Sequence, residues 1–263
     1  MHTTRPVTEP EVRALASAAG LGEASIVLEA LEGARPGVRI AADRPLTPAS
    51  MIKVPIAAAL AELWARGELR PAGRVAVAPE NLTANDAASP LVAGYEATLE
   101  ELAWLMVTRS DNVATNVLID VLGRAEIGDF CRRAGLTGTA VRRKLSGSLP
   151  LIDDPQATGR NAHPAADAAT LFAQIARRGR EDWLYAALAA QEWNDKLSRG
   201  LRPGDRFAHK TGDTDEVSHD GGILELEDGS RFVLVVYAPL ASSSAVDARH
   251  AAFMRALRPL LER

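Results

Sequence analysis

The chain has 263 residues, of which 47% are hydrophobic and 24% are charged, and its formal net charge is −4. This length allows one large domain or two interleaved lobes with a sizeable core, while the acidic balance argues against a nucleic-acid partner. A single cysteine excludes an internal disulfide and a thiolate metal cluster, and no uncharged apolar run is long enough to span a membrane.

The N-terminal residues show no basic segment followed by an apolar core, so the sequence predicts no signal peptide. Taken as written, it describes a cytoplasmic monomer with no cofactor and no nucleic-acid or membrane partner. A protein whose leader had been removed would look the same and would be periplasmic or secreted. Cys131 is expected to be a small buried apolar side chain, with a catalytic thiol as the alternative.

Apolar periodicity and turn residues predict a strand pair, a block of helices, further strands and a closing helix. Thr98 and Glu101 have the spacing of a helix capping box, and Asp228-Gly229 predicts a hairpin turn. The helices are predicted at 9–19, 50–66, 98–110, 111–123, 124–135, 164–178, 181–193 and 243–261, and the strands at 25–32, 37–43, 205–213, 221–228 and 230–239.

Strands at both ends with helices between them predict an α+β fold with two lobes. An antiparallel sheet flanked by the N- and C-terminal helices would form one lobe, from residues 1–45 and 205–263. Residues 46–204 would form an inserted all-helical lobe, and the whole chain 1–263 one compact unit. A cleft between lobes is the expected position of a site.

The first candidate site lies at the start of the helix 50–66, where Lys53 is followed by eight uncharged residues. Lysine is scarce here: only four of the 30 basic Lys and Arg residues are lysines. Burial in an apolar helix favours the uncharged amine, which could take the proton of Ser50 one helical turn away. The alternative is a surface lysine that extends past a structural serine to water.

Two further motifs carry weaker signals when each is taken alone. Ser110-Asp111-Asn112 joins two helices, where a second serine could relay a proton and Asn112 could bind a substrate amide with both its donor and its acceptor. The alternative is that these residues only cap helices. Lys210-Thr211-Gly212 lies in a predicted strand, where it could hold a carboxylate or be an ordinary strand end with an exposed lysine.

The three motifs together, in this order and spacing, resemble the class A β-lactamases and their penicillin-binding relatives. The resemblance covers residues 25 to 260 and implies a β-lactamase/transpeptidase-like fold acting on a small-molecule β-lactam or an acyl amide or ester, without a metal. For the acylation step, the resemblance implies that Ser50 is the acylated nucleophile, Lys53 its base and Ser110 the proton donor to the leaving nitrogen. For substrate binding, it implies that Asn112 binds the substrate amide and that Lys210 and Thr211, beside Gly212 and assisted by Arg231, bind the substrate carboxylate. The N–H groups of Ser50 and Asp213 would form the oxyanion hole.

The long segment 142–163 departs from that family, because class A enzymes carry a deacylating glutamate there. Residues 140–154 contain no glutamate, and Lys144, Leu145 and Ser146 stand about where it would fall. The segment resembles that of a broader branch of lactamase-like serine hydrolases, several of which are poor lactamases. Asp153 or Asp154 could replace the glutamate, or both could be solvated loop carboxylates.

A second departure is Asp213, because related enzymes have a small neutral residue after Lys-Thr-Gly. Its carboxylate would face the carboxylate of the substrate, at a cost in free energy. Either the side chain turns outward or the preferred substrate is not a typical penicillin. His209 and His219 could line the cleft, but structural roles are expected, without metal partners.

The sequence therefore predicts a serine hydrolase that forms an acyl-enzyme at Ser50 and hydrolyses β-lactams slowly. The alternatives are a D,D-peptidase, esterase or amidase on the same fold, or a trap or sensor that is acylated without deacylation. A non-catalytic descendant that keeps only the fold is disfavoured, because Ser50 and Lys53 are both intact.

Overall fold

The computed structural model describes residues 6–32, 37–146 and 152–262. The chain divides into a sheet unit, Met1–Met51 with His163–Arg263, and a helical unit, Ile52–Ala162. In chain order the elements are α1 (Glu9–Ala18), β1 (Ser25–Ala30), β2 (Val38–Ile40), α2 (Lys53–Ala65), β3 (Arg74–Ala76), β4 (Glu96–Thr98), α3 (Leu99–Thr108), α4 (Asn112–Leu122), α5 (Arg124–Arg133), α6 (Ala165–Arg178), α7 (Trp183–Ala189), β5 (Arg206–Asp213), β6 (Ser218–Glu225), β7 (Arg231–Ala238) and α8 (Ser244–Leu261), with short 3-10 turns at Ala49–Ile52, Pro79–Asn81 and Leu197–Gly200.

This mixed helical and antiparallel architecture confirms the predicted fold class. The lobe boundaries differ from those expected, because α6 and α7 pack on β5, β6 and β7 and so belong with the sheet. The strand pair β3–β4 escaped the sequence analysis because three-residue strands carry too little alternation to detect. Strand β6 begins at Ser218 instead of residue 221, since its polar first residues are buried in the sheet.

The sheet has the order β2-β1-β7-β6-β5, with every neighbouring pair antiparallel. Strand β5 pairs with β6 along its whole length, which sets Lys210 opposite Gly221 and Asp213 opposite Ser218. The predicted turn at Asp228-Gly229 joins β6 to β7, and Gly229 has the positive φ of 81° that such a turn favours. These pairings determine which side chains share a face of the sheet.

One face of the sheet packs against α1 and α8 through a continuous apolar cluster that includes Ile26, Leu234, Phe253 and Leu257. Removing such side chains from water stabilises a fold by about 25 cal/mol per Å² of apolar area. In the part of the chain that the structure describes, no helix is both long and apolar enough to cross a bilayer.

In the helical unit, α2 packs against α3, α4 and α5. Thr98 accepts a hydrogen bond from the Glu101 N–H at 3.1 Å, which is one of the two bonds of the predicted capping box. Asp111 caps α4 by accepting from the Ala114 N–H at 2.9 Å. Cys131 is buried on α5, as expected of a small apolar side chain.

Candidate active site

In the helical unit, the predicted residues Lys53, Ser110 and Asn112 form one polar cluster. Lys53 opens α2 and is fully buried, and its Nζ donates to Ser110 O at 2.5 Å and to Asn112 Oδ1 at 2.7 Å. Ser110 Oγ lies 3.0 Å from the same nitrogen. A hydroxyl can accept from an ammonium or donate to a neutral amine, so this arrangement suits both protonation states of Lys53. The snorkelling alternative is wrong, because the lysine does not reach water.

Asn112 is oriented by contacts that the sequence did not reveal. Lysine only donates, so the amide oxygen of Asn112 must face Lys53. Its Nδ2 donates to Ala84 O at 2.9 Å, and its main-chain N–H donates to Asn85 Oδ1 at 2.5 Å. The Asn112 side chain therefore cannot use both its donor and its acceptor on a substrate as predicted. Its oxygen already bonds Lys53, and one Nδ2 hydrogen remains for another acceptor.

Positive φ angles, which are unusual for residues other than glycine, occur at one candidate serine and immediately before the other. In the described ranges only three such residues occur, and two of them are Ser110, with φ 59°, and Ala49 immediately before Ser50, with φ 47°. This conformation costs about 1–3 kcal/mol for an ordinary residue and is found preferentially at functional sites. No sequence pattern signals this strain.

The long loop is held to α4 by Asn116, one helical turn after Asn112. The Asn116 Nδ2 donates to Leu145 O at 2.8 Å, and the Leu145 N–H donates to Asn116 Oδ1 at 2.7 Å. This two-bond clamp fixes the main chain where the class A glutamate was sought. Leu145 has no ionisable group there, and residues 147–151 of the loop lie outside the described ranges.

Asp154 is a structural residue of this loop and not a solvated carboxylate. Its side chain is 5% exposed, pairs with Arg124 and accepts from the Lys144 N–H at 2.9 Å. Burial alone would raise the pKa of Asp154, but the Lys144 N–H and the Arg124 charge outweigh it and hold that pKa below its ordinary value. Asp153 is exposed.

In the sheet unit, the turn that carries Ser50 is fixed by strands β5 and β6. Ser50 is half-buried in the 3-10 turn that leads directly into α2. The His219 Nε2–H donates to Thr47 O at 2.9 Å. A Cβ at Gly212 would lie 3.1 Å from Pro48 O, closer than side chains normally pack, so glycine allows β5 to approach this turn without displacing it.

The other two residues of the Lys-Thr-Gly motif are buried in β5. Lys210 is fully buried and Thr211 is 5% exposed, which removes the alternative of a strand end with an exposed lysine. The Lys210 Nζ donates to Thr211 O at 2.9 Å. Asp213, the last residue of the strand, forms an ion pair with Lys196. Lys196 is the functional candidate that sequence reasoning missed, although the scarcity of lysine pointed to it.

Arg231 does not lie beside the Lys-Thr-Gly motif, contrary to the expectation from the resemblance. The strand register places Lys210 in line with Gly221 and Val235, whereas Arg231 is opposite Glu225 at the other end of β7. Arg231 instead donates to Glu32 through its Nε at 2.6 Å. A role in carboxylate binding is therefore not supported for this residue.

The two histidines of this region have structural partners. His209 Nδ1 lies 2.7 Å from Asp220 Oδ1, and its Nε2 lies 3.0 Å from Ser198 Oγ. His219 stacks on Tyr237, and burial lowers the pKa of His219 to about 4, so the ring is neutral near pH 7. Among the described residues, no group of His, Cys, Asp or Glu is placed to hold a metal ion.

The sequence profile of the β-lactamase enzyme family matches residues 8–257. The chain belongs to this family. The predicted superfamily is thereby confirmed, and the fold and family together establish a β-lactamase-type hydrolase. No curated protein matches the chain.

Solved structures of β-lactamase relatives match almost the whole of this family member. A β-lactamase from Sphaerobacter thermophilus is 26% identical, with coverage of 97% of this chain and 98% of that chain and a TM-score of 0.81. The protein named PBP-A is 25% identical, with coverage of 97% and 96% and a TM-score of 0.82. A PBP-A variant in which a leucine is replaced by glutamate, solved as an acyl-enzyme complex with penicillin G, is 24% identical, covers 98% of both chains with a TM-score of 0.83, and supports the fold alone.

Proposed function

We propose that this β-lactamase family member forms an acyl-enzyme at Ser50 with β-lactams or related amides and esters, and releases the acyl group slowly. The Ser50 oxygen attacks the carbonyl carbon, the carbon–nitrogen bond breaks, and the proton of Ser50 passes to the leaving nitrogen. The single observation that carries the proposal is the buried Lys53 amine bonded to both Ser110 and Asn112.

In this mechanism, Lys53 takes the proton of Ser50, and Ser110 delivers a proton to the leaving nitrogen. The hydroxyl contact of 3.0 Å from Lys53 Nζ to Ser110 Oγ supports this relay, since it is a distance at which a proton moves. The remaining Nδ2 hydrogen of Asn112 would donate to the side-chain amide of the substrate. Because Asn112 Oδ1 accepts from Lys53, the same residue would orient the base.

The sheet unit would supply the carboxylate and oxyanion ligands. Lys210 and Thr211 would bind the substrate carboxylate, and the main-chain N–H groups of Ser50 and Asp213 would stabilise the charge on the tetrahedral oxygen. The close approach of Gly212 to the Ser50 turn supports this assignment, because it brings the end of β5 against the segment that carries the proposed nucleophile.

We attribute the slow release of the acyl group to the residues of the long loop, 142–163. A general base that activates water accelerates hydrolysis by about 10²–10⁴-fold, and the main chain clamped by Asn116 carries a leucine. Asp154 is committed to Arg124 and to the Lys144 N–H, so it is a poor replacement. We therefore favour a long-lived adduct over rapid β-lactam turnover.

The test is to mix the protein with a chromogenic cephalosporin and with a penicillin, and to follow colour and intact mass together. We expect a stoichiometric adduct that persists after excess substrate is removed, and no adduct in Ser50→Ala. Rapid repeated turnover would contradict slow release. No adduct together with cleavage of a small ester or a D-Ala-D-Ala peptide would replace the β-lactam proposal with an esterase or peptidase, while an adduct in Ser50→Ala would exclude Ser50.

A further inference from the structure

The end of β5 carries an ion pair that the chemistry above does not use. Lys196 is 4% exposed, and its Nζ donates to both carboxylate oxygens of Asp213, at 2.6 and 2.7 Å, and to His219 O at 3.0 Å. The Asp213 side chain is 31% exposed. These three acceptors match the three N–H donors of an ammonium, so the charge of Lys196 is satisfied inside the protein.

Strand geometry explains how Asp213 is tolerated beside a carboxylate-binding motif. Successive side chains of a strand point to opposite faces, and the Cβ direction of Gly212 is toward the Ser50 turn. The Asp213 side chain therefore lies on the face of β5 opposite to that of Gly212, which is the face it shares with Thr211, and Lys196 binds it there. The Asp213 carboxylate is tolerated beside Thr211 because the Lys196 ammonium neutralises it.

The Asp213 carboxylate keeps its charge near neutral pH. Burial alone would raise the pKa of Asp213, but the Lys196 ammonium and its hydrogen bond hold that pKa below its ordinary value. Asp213 is consequently ionised, and its negative charge cancels the positive charge of Lys196. A neutral residue at position 213 would leave the ammonium at the end of β5 without this counter-charge.

We propose that Asp213 determines substrate specificity by holding Lys196 in this internal pair and so withholding a second ammonium from the carboxylate of the acyl donor. The inference rests on the proposed function. It identifies the substrate class by the group that Lys210 and Thr211 bind. The protein should accept acyl donors in which this group is a neutral ester or amide nearly as readily as donors in which it is a free carboxylate.

The test compares benzylpenicillin with its methyl ester, which differ in that one charge. The measured quantity is the ratio of the second-order acylation rates of acid and ester, determined from intact mass, so that a general loss of activity cancels. We expect Asp213→Asn to raise this acid-to-ester ratio by about tenfold, the size of one charge-assisted hydrogen bond. The double variant Lys196→Met/Asp213→Asn should return the ratio to its wild-type value.

Glu225→Gln is the matched control, because it removes a carboxylate at the opposite end of the same strand pair, and it should leave the ratio unchanged. An unchanged ratio in Asp213→Asn, or a gain that persists without Lys196, overturns the inference. Asp213→Ser provides a second neutral variant if Asp213→Asn does not fold, as judged by circular dichroism.

Failure of the proposed function is a separate result. If wild-type Ser50 is not acylated by either compound, the proposed chemistry is wrong, and the same ratio is then measured from equilibrium binding of acid and ester to Ser50→Ala by calorimetry. Preferential acid binding that appears only when Asp213 is neutral and Lys196 is present supports the inference; equal preferences in all variants overturn it.

Discussion

Lys53 in the helical unit and Lys196 in the sheet unit are both buried and held by hydrogen bonds, and the partners described for them differ in charge. In the helical unit, Lys53 bonds a main-chain carbonyl, a hydroxyl and an amide, all of which are neutral. In the sheet unit, Lys196 bonds the carboxylate of Asp213. Burial raises the free energy of an ammonium because it loses its hydration. A bonded carboxylate offsets this cost more fully than neutral oxygens do. Under the proposed function, Lys53 is the lysine that transfers a proton, whereas the ion pair with Asp213 gives Lys196 a structural role.

The largest expected effect comes from exchanging lysine for arginine at both positions. Arginine keeps its proton in proteins, so Lys53→Arg should lower the acylation rate by about 10³-fold through loss of the base. Lys196→Arg should change that rate by less than about tenfold, since a guanidinium still pairs with a carboxylate. Acylation is followed by intact mass, and melting temperatures check that both variants fold. Equal losses in the two variants would break the comparison.

The comparison is sharpened by giving the helical unit a carboxylate. Leu145→Glu places a carboxylate at the position whose main chain is bonded by Asn116. Asn116 lies one turn along α4 from Asn112, which contacts Lys53. If slow release reflects the missing base, the lifetime of the Ser50 adduct should shorten by about 10²-fold. Leu145→Gln has nearly the same shape without the charge and should leave the lifetime unchanged. An equally long-lived adduct in both variants would mean that the loop does not limit release.

A smaller effect is expected on stability when the pair in the sheet unit is broken. Lys196→Met leaves Asp213 partly buried and unpaired, which should lower the free energy of unfolding by about 2 kcal/mol, between the values for exposed and fully buried pairs. Adding Asp213→Asn should restore about half of this loss. Urea denaturation of the single and double variants measures the coupling, and additive losses would show that the two residues stabilise the fold independently.

Sequence reasoning succeeded where chemistry fixes residues at short spacing, and it failed where long-range packing decides. Asp111 caps the helix that it precedes, as the local rules for helix starts indicate. The pairing of Ser50 with Lys53, three residues apart, stays a prediction from the same kind of rule. Asn85 positions Asn112 across 27 residues, and Lys196 reaches Asp213 across 17 residues. Such contacts depend on how the chain folds back on itself, which periodicity does not encode.

Strand register is the second feature that the sequence could not supply. Arg231 stands in a strand that was correctly predicted, but its position relative to Lys210 depends on the alignment of β5, β6 and β7. A strand boundary three residues in error, as at Ser218, shifts such alignments and reverses which face a side chain occupies. The position of Arg231 relative to Lys210, and the second cation near Asp213, therefore could not be predicted from the sequence.

The smallest expected effect concerns acid, and it acts on the sheet unit because the four histidines that the structure describes lie within it. Burial lowers the pKa of His250 to about 3, with the Lys196 charge adding to the shift, and neither ring nitrogen has a hydrogen-bond partner among the described residues. The unfolded chain, with an ordinary value near 6.5, binds protons more readily, so stability falls as the pH drops below about 6.5.

His250→Leu should remove this contribution and make the protein less sensitive to acid. One pH unit below 6.5, the gain relative to wild type is about 1.4 kcal/mol in the free energy of unfolding, and it should vanish at pH 8, where both states carry a neutral ring. Urea denaturation at pH 8 and pH 5.5 measures the difference. Because α8 packs in the sheet unit, hydrogen exchange at pH 5.5 should show the gain in β6 and β7 before it appears in α3 or α4. A uniform gain at both pH values would instead assign the effect to packing, and the acid sensitivity would then belong to other groups.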